Sequence, residues 1–117
     1  MPRILVVEDD PTLRGVIRLV LEKDGYLVDE APHGTAALEM LAGEMPDVAV
    51  VDSRMPLMNG GELIARMRAD ARTAAIPVLL LSGFGEAASG ADAADAVLAK
   101  PFEPQHLLDT VRSLAAG

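Results

Sequence analysis

Four short apolar runs in this chain end on residues that can do chemistry. Ile4-Leu5-Val6-Val7 runs into Glu8-Asp9-Asp10 and Val48-Ala49-Val50-Val51 into Asp52. Val78-Leu79-Leu80-Leu81 runs into Ser82, and Val97-Leu98-Ala99 into Lys100-Pro101. If the runs are strands of one sheet, three or more carboxylates, a hydroxyl and an ammonium converge on one edge. Two like charges about 4 Å apart repel by roughly 4 kcal/mol at an effective dielectric near 20. Such a cluster needs a cation. Its ligands would be oxygens, with no His or Cys among them, which suits a hard ion, and Mg²⁺ is the natural choice. Each piece alone has a plainer use: acidic runs cap helices, an Asp after a strand opens a turn, and Ser-Gly and Lys-Pro are ordinary loop dipeptides. It is their joint placement that points to a site.

The elements that must position these residues alternate regularly. An apolar run without alternation suits a strand buried on both faces. Asp10-Pro11 reads as an N-cap followed by a first-turn proline, with Asp10 serving helix one as a cap and not as a ligand. Leu13, Val16, Ile17, Val20 and Leu21 then follow helical spacing up to Gly25. Leu27–Ala31 is a second strand, and a second helix runs from Thr35 to about Glu44, with Ala37, Met40 and Leu41 on one face. A third helix, from Glu62 to about Arg68, buries Leu63, Ile64 and Met67. The last helix follows Pro104, with Leu107, Leu108, Val111, Leu114 and Ala115 inward. Between Gly85 and Asp95 the chain is rich in Ala, Gly, Ser and Asp, so a fourth helix there is at most short or irregular. Strand and helix repeated five times predict an α/β fold: a five-stranded, doubly wound parallel sheet (flavodoxin-like), with helices on both faces. Ligands of such sheets bind beyond the carboxyl ends of the strands.

Composition bounds the function. The 117 residues fit one domain, taken here as 1–117, and half of them are hydrophobic. A net charge of −8 argues against direct contact with nucleic acid or an anionic membrane. The lack of cysteine removes thiolate nucleophiles and Cys-ligated metals. Tyr26, Phe84 and Phe102 are the only aromatic residues, too few for a stacking platform. No apolar run is long enough for a signal sequence or a membrane span, and the expected location is cytoplasmic. His33, His106, Arg14, Arg18, Arg66 and Arg68 are read as surface residues, and the methionines as core or loop filler.

Together these motifs resemble the receiver domain of two-component response regulators, essentially end to end. The acidic pair after strand one is Glu8-Asp9. The phosphoacceptor segment is Asp52-Ser53-Arg54-Met55-Pro56-Leu57-Met58-Asn59-Gly60, the hydroxyl after strand four is Ser82, and the Lys-Pro pair is Lys100-Pro101. The resemblance implies that Asp52 accepts a phosphoryl group from a histidine kinase, a phosphotransfer protein or a small phosphodonor. It implies that Asp9, Asp52 and the backbone carbonyl of Arg54 hold Mg²⁺, with Glu8 acting through water, and that Lys100 and Ser82 contact phosphoryl oxygens. Phosphoryl transfer needs positioning and charge neutralisation more than covalent help, so these roles are coherent. The result is a phosphorelay switch that catalyses its own phosphorylation and dephosphorylation, with room for a homodimer on phosphorylation. Lys100-Pro101 is a candidate cis bond. Arg54 and Phe84 flank the site's mouth and are expected to slow hydrolysis of the aspartyl phosphate.

Three departures from the family pattern stand out. Val97 occupies the position three before the lysine, where many members carry a switching aromatic residue. Asn59 replaces the usual Asp before the loop glycine. Ser82 and Lys100 are only 18 positions apart, which shortens the fourth helix region. With the Ser82-Gly83-Phe84 opening, that shortening resembles receivers attached to hybrid sensor kinases. Two other classes compete: a receiver-like scaffold that binds partners without phosphorylation, and a haloacid-dehalogenase-like phosphatase. The second would need its nucleophile in Glu8-Asp9-Asp10-Pro11-Thr12, where Glu8 stands at the required Asp.

Overall fold

The computed structural model describes residues 1–83 and 90–116. Its elements run β1 (Arg3–Val7), α1 (Pro11–Lys23), β2 (Leu27–Ala31), α2 (Gly34–Leu41), β3 (Val48–Asp52), α3 (Gly60–Ala69), β4 (Val78–Ser82), β5 (Ala96–Ala99) and α4 (Pro104–Ala116). The strands form one parallel sheet in the order β2-β1-β3-β4-β5. The chain reverses its winding between β1 and β3, which makes that crevice the expected binding place.

Strand alternation splits the core into two layers. Leu5, Val7, Ala49, Val51, Val78 and Leu80 face α2 and α3, against Ala37, Leu41, Leu63, Ile64 and Met67. Their neighbours Ile4, Val6, Val48, Val50, Leu79 and Leu81 face α1 and α4, against Ile17, Leu21, Leu107 and Val111. Both faces of the central strands are therefore buried, as the unbroken apolar runs require.

The helix ends have local causes. Asp10 caps α1, accepting hydrogen bonds from the Thr12 and Leu13 amides. The His33 side chain caps α2 through the Ala36 amide, so that helix starts at Gly34. It ends at Leu41, earlier than its apolar face suggested. Asn59 and Glu62 form a reciprocal capping box, which brings the start of α3 forward to Gly60. Among the described residues no helix lies between β4 and β5. Residues 90–95 form turns, and 84–89 of the expected fourth helix lie outside the described residues. Val16, read as part of the inner stripe of α1, is half exposed at the stripe's edge.

Candidate active site

The sheet places the polar residues as their positions after the apolar runs required. Glu8 follows β1, Asp52 closes β3, Ser82 closes β4 and Lys100 follows β5. Register holds them level: Asp52 pairs with Leu81, Ser82 pairs with Ala99, and the Lys100 amide donates to the Ser82 carbonyl at 2.6 Å. The Lys100-Pro101 bond is cis. Behind Asp52 the loop turns back so closely that the Gly60 amide donates to the Ser53 carbonyl at 3.1 Å. A Cβ on Gly60 would collide with the Asp52 carbonyl oxygen, so glycine is required there.

Glu8 and Asp52 are buried, while Asp9 is exposed. Ligand oxygens of Glu8, Asp9 and Asp52 all lie within 4.8 Å of one another. Lys100 Nζ stands 2.7 Å from Asp52 Oδ1 and 3.5 Å from Glu8 Oε1. Those same two oxygens are sealed from solvent and accept no well-directed hydrogen bond among the described residues. The ammonium offsets their charge without satisfying their lone pairs. Burial is the main force pushing the Glu8 carboxyl up to about 7, helped by Asp9 and the Asp52 charge and opposed by the Asp10 amide and Lys100. Burial works to lower Lys100, but Asp52 and Glu8 outweigh it and raise the ammonium above its ordinary value. The donor set is carboxylate oxygen with unsatisfied lone pairs, which fits a small hard cation such as Mg²⁺.

Ser82 is buried beside this cluster, and its hydroxyl lies 3.5 Å from the Gly83 carbonyl. Arg54 is exposed at the mouth. Phe84 lies outside the described residues. Arg54, Gly83 and Lys100 also border an open groove of about 600 Å³ between α1 and α4, with Leu13, Val16, Val20 and Phe102 on its walls.

Two arginines escaped the sequence reading, Arg14 beside this site and Arg68 at the opposite, amino end of the strands. Arg14, taken as a solvated side chain, donates from Nη1 to the Glu8 carbonyl at 2.8 Å and from Nε to Glu30 at 3.0 Å. Arg68, taken likewise, donates to the carbonyls of Ala74, Ile76 and Ala93 and pairs with Asp95 at 2.9 Å. Both point inward because a backbone carbonyl waits there, which residue spacing alone does not disclose. Arg14 and Arg18 lie one turn apart, and both pair with Glu30 on β2. Acids near the end of one strand facing basic residues on the preceding helix were the available signal.

A doubly wound parallel sheet with an aspartate, an acidic pair and a lysine at its carboxyl edge defines a receiver-like class of α/β domain. The family model for the response regulator receiver domain matches residues 4–112, and the chain belongs to that family. It is 37% identical over 118 residues to the DNA-binding dual master transcriptional regulator RpaA of Synechocystis, covering 97% of this chain and 49% of that protein. The chain thus spans about half the length of the curated relatives it matches. The receiver domain of the sensor histidine kinase PA1611 from Pseudomonas aeruginosa, solved with magnesium in its active-site cleft, superposes with a TM-score of 0.92 at 26% identity, covering 99% of this chain and 98% of that one. The response regulator TrrA of Thermotoga maritima, in complex with Mg²⁺ and BeF, gives 0.88 at 29% identity, covering 97% and 99%. Among the described residues no helix is long and apolar enough to cross a membrane.

Proposed function

We propose that the chain is the phosphoacceptor of a two-component phosphorelay, with Asp52 taking a phosphoryl group from phosphohistidine on a kinase or phosphotransfer protein. The observation that carries this reading is the buried Asp52 oxygen, unsatisfied and 2.7 Å from Lys100 Nζ. A structural carboxylate at that depth would be fully bonded. Glu8, Asp9, Asp52 and the Arg54 carbonyl would hold Mg²⁺, which when bound supplies charge neutralisation for the incoming phosphoryl oxygens. Asp52 supplies the attacking carboxylate oxygen, Lys100 stands ready to pair with the anion, and the Ser82 hydroxyl, one strand away, is a donor suited to a phosphoryl oxygen. The apolar groove beside Lys100 offers a seat for the donor, which would bring its phosphohistidine to the mouth. Arg54 at that mouth is suited to hydrogen-bond the phosphoryl group and slow its hydrolysis. The dehalogenase-like alternative is disfavoured because Glu8 stands where its nucleophilic Asp would be required.

The test is labelling with acetyl phosphate in Mg²⁺, followed by mapping of the modified residue. Wild type should carry one hydroxylamine-sensitive phosphoryl group, and Asp52→Asn should carry none. Full labelling of that variant would overturn the reading, and label in Glu8–Asp10 would favour the phosphatase. A chain that takes no label but retains partner binding would be a scaffold.

A further inference from the structure

Leu57 stands where a leucine is hard to explain by folding. Its φ is +70°, and it is the only non-glycine residue with positive φ among the described residues. The Met58 amide donates to the Pro56 carbonyl at 2.8 Å, which closes a three-residue γ-turn centred on Leu57. γ-Turns with positive φ are rare and strained, and a branched side chain there is an outlier. Glycine or asparagine would meet the same geometry at little cost. The side chain gains nothing in return, because Leu57 is 103% exposed.

The rest of the loop is anchored. Met55 is buried, the Met58 side chain lies over Gly34, Asn59 caps α3 and Gly60 sits against the Asp52 carbonyl. Leu57 is therefore the projecting tip of the same loop that begins with the phosphoacceptor. A strained residue that persists without local benefit points to a role outside the folded chain.

We propose that Leu57 is a specificity-determining contact for the protein phosphodonor: an apolar knob that the donor's surface covers as its phosphohistidine reaches Asp52. The occupant follows from place. A protein that delivers a phosphoryl group to Asp52 docks beside the loop that Asp52 opens, and Arg54 of that loop lines the apolar groove together with Val16 and Phe102. A donor spanning the mouth would then meet apolar surface on both sides, and the knob would gain from the donor the burial it lacks here. This inference rests on the reading of Asp52 as acceptor from a protein donor. It adds a residue that a small phosphodonor would not need.

The experiment compares two donors on the same variants. Leu57→Asn and Leu57→Gly keep the turn's φ accessible and remove the apolar group, and Leu57→Met restores an apolar group. The small donor is acetyl phosphate. The protein donor is an autophosphorylated histidine kinase or phosphotransfer domain that labels wild type at Asp52. Both removal variants should take acetyl phosphate within about twofold of wild type, while transfer from the protein at sub-saturating concentration falls about tenfold or more, through KM. Leu57→Met should recover most of that loss. Protein transfer at the wild-type rate in Leu57→Asn would overturn the proposal. An equal loss with both donors would also overturn it, since the turn itself would then be at fault. If acetyl phosphate labels wild type but no phosphohistidine protein from a broad panel does, the protein-donor reading falls and this proposal with it. If neither labels Asp52, the phosphoacceptor function itself is wrong.

Discussion

Arg14 shows how a residue outside the acidic cluster can govern it. Its guanidinium grips the Glu8 carbonyl at 2.8 Å, and Glu30 holds it in place at 3.0 Å. The Glu8 amide is fixed in turn by the Ala31 carbonyl at 3.1 Å, so both backbone polar groups of Glu8 are tied to the β2 side of the sheet. Removing the guanidinium takes this hydrogen bond from the Glu8 carbonyl while the Glu8 amide stays held. A charged hydrogen bond of this kind contributes on the order of 1.5 kcal/mol. Arg14→Gln should weaken Mg²⁺ binding about fivefold to tenfold and slow acetyl phosphate labelling at low Mg²⁺, with recovery at saturating Mg²⁺. Arg14→Lys should recover part of the affinity, since it keeps a donor but loses the fork. Metal titration followed by spectroscopy or calorimetry reads this directly, and an unchanged affinity would remove Arg14 from the positioning role. At this scale the chain's acids, lysine and serine were legible because each closes an apolar run. Arg14 and Leu57 were not. One depends on where a backbone carbonyl faces, and the other on a φ angle that no neighbouring glycine announces.

At the scale of elements, β1 to β5 and the four described helices could be placed because their apolar runs and spacing report burial on one or both faces. Their ends were less legible because the caps decide them: His33 is an uncommon cap, and the Asn59–Glu62 box becomes readable only if Gly60 and Gly61 are accepted inside a helix. The connection from β4 to β5 carries little periodic signal, and its anchoring comes from elsewhere. Arg68 on α3 reaches the carbonyls of Ala74, Ile76 and Ala93, while Asp95 pairs with it and also accepts the Val78 amide at 2.7 Å. Gly90, with φ +89°, packs so closely on Gly61 that a Cβ there would strike its Cα. The turn over 90–95 is thus held to α3 at two levels. Arg68→Ala should lower stability by about 2 kcal/mol, the scale expected for losing a charged group that serves several carbonyls. Hydrogen exchange should rise most over residues 90–96 and at the start of β4. A uniform rise across the sheet with no local excess would show that Arg68 does not act as a clamp.

For the whole molecule the question is how an acidic chain carries a buried anionic cluster, and pH separates the contributions. The net charge of −8 disfavours compactness through general repulsion, which any salt screens. The Glu8 penalty is local. Its carboxyl is raised from 4.5 to about 7 in the folded state, so the folded chain holds that proton over a range where the unfolded chain has lost it. Its contribution to stability is therefore full below about pH 4.5, declines as pH rises, and is gone above about pH 7. The size is on the order of 3 kcal/mol at most. Metal-free protein should melt at a lower temperature at pH 7.5 than at pH 5.5, and Glu8→Gln should flatten much of that slope. A divalent ion bound among Glu8, Asp9 and Asp52 would oppose the same penalty, so Mg²⁺ should raise the melting temperature more at pH 7.5 than at pH 5.5, where protons compete for Glu8. NaCl at matched ionic strength should give a smaller rise that depends little on Glu8. Thermal melts at both pH values, in Mg²⁺ and in matched NaCl, for wild type, Glu8→Gln and Asp52→Asn, make the comparison. A Mg²⁺ effect equal to that of NaCl at pH 7.5 would mean that general screening, and not the acidic cluster, accounts for the response of the fold to the ion.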